Sequence, residues 1–132
     1  MPHTFVKHFY VEPNRCPLAD PMTVRIALGA DENLDQVRWR VQYVVDMASE
    51  RSVIDLVETE PASVSKSESH VATIQTPAID LSAFAQSSLL NLGLLMITLV
   101  GSDGVELLRV SAVTQVAKEG DTFVRTVLDP MS

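Results

Sequence analysis

Only one cysteine, Cys16, occurs in 132 residues, so no disulfide can close within the chain and no cysteine-based zinc site can be assembled. An inert structural role is expected for its thiol, and a reducing compartment fits such usage. Histidine is nearly as scarce. His3, His8 and His70 are the only three, and none stands at metal-ligand spacing with another histidine, a cysteine or a carboxylate. No metal and no cofactor is therefore expected. The five glycines are scattered, which excludes a glycine-rich phosphate cradle. Lysine and arginine total 10 against 17 aspartates and glutamates, and no cationic cluster alternates with stacking aromatics, so direct nucleic-acid contact is not expected. Arg38 and Arg40 beside Trp39 come closest, but on a strand these arginines point away from the indole. The longest apolar run, residues 89–100, is broken by Asn91 and Gly93 and falls short of the ~20 residues that cross a bilayer. The first residues lack the basic region and unbroken apolar core of a secretory leader. Neither a membrane nor export is expected.

What is abundant is strand periodicity. In VRWRVQYVV, Val37, Trp39, Val41, Tyr43 and Val45 fall on one face, with Arg38, Arg40 and Gln42 on the other. Val24, Ile26 and Leu28 alternate in the same way, and TFVKHFYV reads as a strand apolar on both sides. Further strands are predicted over residues 52–59, 70–76, 89–100, 105–116 and 121–128, about eight in all. The hairpin signal is clearest at GSDG, residues 101–104, between two long apolar strands expected in the middle of a sheet. PASVSKSES, residues 61–69, reads as an exposed connecting loop, and DLSAFAQSS, residues 80–88, as one or two turns of helix. One domain over residues 1–132 is expected, with an all-β fold: an antiparallel β-sandwich with Greek-key connections and at most one or two short helices. The spaced prolines Pro13, Pro17 and Pro21 fix φ and remove N–H donors. They predict a stiff crossing that carries the chain from its first strand into the other sheet without offering an edge for pairing.

Catalysis requires a nucleophile, a base and an orienting group converging in a cleft, and the residues for it are thin. The paired carboxylates in DENLD and VETE read as solvated loops or strand edges. A binding protein rather than an enzyme is expected.

PNRCPLADPMTVRIAL, LDQVRWRVQYVV, VIDLVETEP and LGLLMITLVGSDGVELLRV resemble, in that order, the anti-silencing-function histone chaperones. Pro17 and Pro21 match that family's spaced prolines; Trp39, Tyr43 and Val44 match its third element; Gly93, Arg109 and Val110 match its last. The resemblance covers roughly residues 5–113. It implies an immunoglobulin-like sandwich that acts without catalysis in the nucleus, escorting the dimer of histones three and four during nucleosome assembly and disassembly. It implies a histone-facing set of Val44, Met96, Arg109 and Val113, with a histone helix received on the sheet. It also implies a separate set, Asp35, Arg40, Asp55 and Val57, that grips short peptides of chromatin-assembly factors. The net charge of −7 suits the escort of basic cargo.

The chain departs from that pattern at telling places. Ala112 and Val113 stand where the family has two tyrosines, Leu90 replaces an acidic residue, and Gln36, Val37 and Arg38 replace Asp-Leu-Glu. The family's final Asn-Pro-Pro segment has no counterpart. Loss of aromatic anchors removes the residue type that most often dominates an interface. Two other readings therefore stay open: an immunoglobulin-like module for a different helix or peptide, and a small-ligand binder or enzyme with its site in loops such as residues 31–35 and 61–69.

Overall fold

A computed structural model describes residues 4–46, 51–82 and 91–128. Those residues form ten strands and no helix. They run β1 (Thr4–Glu12), β2 (Arg15–Pro17), β3 (Met22–Ala30), β4 (Leu34–Asp46) and β5 (Arg51–Glu58). Then follow β6 (Ala62–Val64), β7 (Ser67–Thr76), β8 (Asn91–Val100), β9 (Glu106–Glu119) and β10 (Thr122–Val127). Two antiparallel sheets result, one of three strands ordered β1-β3-β7 and one of seven ordered β2-β10-β9-β8-β4-β5, with β6 pairing the start of β4. The expected antiparallel β-sandwich is present, and neither sheet closes into a barrel. β4 lies beside β8 although β5, β6 and β7 intervene in sequence, which is the non-local pairing expected of Greek-key connections. The helix predicted at 80–88 lies mostly outside the described residues; within them, the Asp80 carboxylate accepts from the Ser82 amide at 3.0 Å and its hydroxyl at 2.7 Å, forming a local turn.

The alternation in β4 behaves as its period dictates. Val37, Trp39, Val41, Tyr43 and Val45 are all buried. They meet Leu95, Ile97 and Leu99 of β8 and Val110, Ala112 and Val116 of β9 in one cluster, closed from the other side by Phe9, Val24, Ile26, Leu28 and Ile74 of the small sheet. Two irregularities tune this face. Gln36, at φ 56°, occupies the left-handed region, so both Leu34 and Val37 turn inward despite their odd spacing. Gly93 lies under the Tyr43 ring, where an added Cβ would collide with the phenol hydroxyl. Burial pushes that phenol up to about 12.

Two connections differ from expectation. The proline crossing does pair: Arg15, Cys16 and Pro17 form β2 opposite Thr126, Arg125 and Val124. The chain thus leaves the small sheet, touches the edge of the large one, and returns, because β1 and β3 are neighbours in the same sheet. Pro17 can take this place because an edge strand does not need every N–H. The serine-rich segment 61–69 is likewise no simple loop, since it contains β6 and the start of β7.

Arg125 explains how the crossing is held. Its inward-facing guanidinium is 1% exposed. It donates to the carbonyl oxygens of Leu18 (3.1 Å), Asp20 (2.9 Å) and Pro13 (3.4 Å), and its Nε has no acceptor. Beside it, the Asn14 amide donates to the Val127 carbonyl at 2.8 Å. The Cys16 thiol is raised by burial, the nearby guanidinium opposing this, and it contacts the Pro17 carbonyl at 3.4 Å.

Candidate functional site

The seven-stranded sheet has a second face, turned away from the core, and the inter-strand register shows what lies on it. Val44 pairs with Val53 of β5 on one side and Leu94 of β8 on the other; Leu94 pairs with Val113 of β9. The Leu128 amide donates to the Val113 carbonyl at 2.9 Å, bringing Leu128 alongside. Val53, Val44, Leu94, Val113 and Leu128 therefore form one aliphatic row running straight across the sheet. Neighbouring strands lie about 4.8 Å apart, so the row spans roughly 19 Å. Val44 is its floor, 3% exposed yet outside the core cluster, whereas Val53, Val113 and Leu128 are 53%, 38% and 40% exposed. Along β8 the row widens to Leu92, which is exposed, and Met96, which is half-buried.

All four residues of the histone-facing set, Val44, Met96, Arg109 and Val113, lie on this face. Val44 and Val113 stand in the row, Met96 one pleat away and Arg109 one pleat further, opposite Thr98. Of the two positions where the resembled family has tyrosines, only Val113 bears on this surface; Ala112 is fully buried in the core. Leu90 lies outside the described residues. Val53, Leu92, Leu94 and Leu128 were not among the expected contacts. Their apolarity was visible in the sequence, but their alignment depends on register, which one sequence does not state.

The second set divides. Arg40, Asp55 and Val57 line one open cleft of about 380 Å³ with Gln42, Leu56 and Glu58. A register shift between Val41 and Gln42 against β5 opens it, since Leu56 is the extra residue and turns inward. Asp35 does not line that cleft; its carboxylate accepts from the Ser63 hydroxyl at 3.3 Å on β6. Arg40 and Asp55 lie on the same outward face as Met96, because Gln42 pairs with Met96 and donates to Asp55 at 2.8 Å. The two sets adjoin each other there.

The arginines described on this face lie against carboxylates. Arg38 and Arg40 reach Glu58 at 3.2 and 3.7 Å, Arg109 reaches Glu106 at 2.6 Å, and Arg15 pairs with Glu119. Thr98, flanked by Arg40 and Arg109, is buried with no partner for its hydroxyl, as expected where long arginine stems cover a strand surface. The face is thus aliphatic towards β8's start and Leu128, and covered by paired arginines towards the β8–β9 hairpin.

No histidine lines any of three clefts on the surface: that beside Asp55, one of about 390 Å³ between Arg15, Leu92, Gln115 and Thr126, and one of about 210 Å³ along β1 near Asn14. His8 is exposed and stacks on Tyr10, with ring centres 6.1 Å apart, and His3 lies outside the described residues. Among the described residues no group of three or more histidine, cysteine or acidic side chains is placed to hold a metal ion. No described helix is long and apolar enough to cross a membrane. No family model matches the chain, and no curated protein matches it.

Proposed function

We propose that the protein is a non-catalytic binding protein that takes an amphipathic helix across the outer face of its seven-stranded sheet. The helix belongs, in this proposal, to the dimer of histones three and four, which makes the protein a divergent nuclear histone chaperone. The observation that carries the reading is the register that gathers Val44, Leu94, Met96 and Val113, from three separate strands, on one partly exposed aliphatic surface. Helix-in-groove recognition uses anchors at i, i+3, i+4 and i+7, and the row is long enough for about 13 helical residues. The histone identity rests on the sequence resemblance. Arg40, Asp55 and Val57, in their cleft, are proposed to take an assembly-factor peptide, with Asp35 outside that contact.

Gel filtration with the reconstituted histone dimer at about 0.15 M salt tests this. Co-elution is expected for the native chain, and its loss for Met96→Arg with an unchanged circular dichroism spectrum. Failure of the native chain to hold the dimer would overturn the histone assignment. The equal numbers of arginines (Arg15, Arg38, Arg40, Arg109) and carboxylates (Asp55, Glu58, Glu106, Glu119) beside the row favour one second reading, an interaction module of the same geometry for a helix that is not basic. That reading gains if a neutral leucine-bearing helix binds while the histone dimer does not.

A further inference from the structure

Resting on the helix-docking reading, we propose that this protein separates attraction from grip: its partner helix is held by uncharged aliphatic contact, while the acidic charge that speeds its arrival lies elsewhere. Arg15, Arg38, Arg40 and Arg109 on the outer face each reach a carboxylate: Arg15 that of Glu119, Arg109 that of Glu106, and Arg38 and Arg40 together that of Glu58. Asp55 is bonded to Gln42. A helix laid along the Val53–Leu128 row therefore meets methyl groups, beside which four guanidiniums (Arg15, Arg38, Arg40, Arg109) are balanced by four carboxylates (Asp55, Glu58, Glu106, Glu119). The net charge of −7 has to come from elsewhere. Asp20, Glu32, Glu60, Asp103 and Asp121 are exposed carboxylates in turns and connections, with no ion-pair partner among the described residues.

The two kinds of interaction govern different rates. Charge distributed over a surface raises the frequency of productive encounter and is screened by salt within a Debye length of about 8–10 Å. Desolvated contact at the interface sets how long the complex lasts. The partner class follows from this: a helix with aliphatic residues at i, i+3 or i+4, i+7 and i+11, whose basic residues point away from the sheet. Lysines on the flanks of such a helix would quicken binding without tightening the contact.

Two synthetic helices of about 14 residues test the inference, both with leucine at those anchor positions, one with glutamine and one with lysine on the flanks. Association and dissociation are followed by interferometry on the immobilised full chain from about 0.1 to 0.5 M salt. The lysine helix should associate about tenfold faster at low salt, the two rates converging at high salt. Dissociation rates should agree within about threefold and ignore salt. Val53→Asp and Val113→Asp should each raise dissociation of both helices about tenfold or more, and Val71→Asp, on the far sheet, should leave it unchanged.

A lysine helix whose dissociation rate climbs tenfold with salt would overturn the proposal, and so would binding that ignores Val53 and Val113. If neither helix binds while the histone dimer still binds in a Met96-dependent way, the separation of charge from contact is wrong and the docking face survives. If the dimer fails as well, both fall.

Discussion

Strand β8 offers side chains to both faces of the seven-stranded sheet, and the two faces meet different fates. Inward, Leu95, Ile97 and Leu99 are sealed by the three-stranded sheet and touch a continuous cluster from both layers. Outward, Leu92, Leu94 and Met96 stand beside β4 and β9, and none of the described strands lies over them. Composition is nearly the same on the two sides. What differs, among the described residues, is whether a second layer receives them, and that layer is three strands wide. Arginine follows the same division: Arg125, inside, spends its donors on backbone carbonyls, whereas Arg38, Arg40 and Arg109, outside, meet carboxylates.

The contrast is broken most severely from the inside. Ile97→Ala should cost about 2–5 kcal/mol in urea unfolding, since the cavity it leaves cannot collapse between two sheets. Arg125→Met should cost about 3 kcal/mol, because carbonyls of the proline crossing lose their donor; protection of the amides around residues 15–18 against hydrogen exchange should fall with it. A loss below 1 kcal/mol would mean that the crossing is held by its own stiffness.

Alkaline titration gives a smaller effect on the same inner face. The Tyr43 phenol, ordinarily near 10, is raised to about 12 by burial, so above pH 10 the unfolded chain releases a proton that the folded chain keeps. Stability is full below pH 10 and falls by up to about 1.4 kcal/mol per unit between pH 10 and 12. Tyr43→Phe should flatten that fall. On the outer face, Glu58→Gln should change stability by less than about 1 kcal/mol, since its ion pairs are partly solvated. A larger loss would show that the outer ion pairs are structural and not merely a neutral border.

The long strands were legible because their side chains obey a period of two over many residues. β4, β8 and β9 were placed from Val37 to Val45 and from the 101–104 turn alone. β2 and β6 were not, since three residues carry no period and their pairing is decided by partners far away in sequence. The inward turn of Arg125 had a signal, its place between Phe123 and Val127 on an alternating strand, but burial of an arginine overrides the ordinary expectation that charge faces water. Within the candidate site, Val44, Met96, Arg109 and Val113 came from resemblance. Val53, Leu94 and Leu128 became neighbours only once five strands were laid in register.

The joint between Arg125 and the 13–20 crossing has a consequence for biosynthesis. Its hydrogen bonds close loops of 105 to 112 residues. As the chain emerges from the ribosome, the 13–20 crossing cannot lock until β10 has been made. Folding is thus expected to begin from the 101–104 turn, where partners are close in sequence, and to finish at the 13–20 crossing once β10 has emerged, leaving that crossing accessible to protease and chaperone while the rest takes shape.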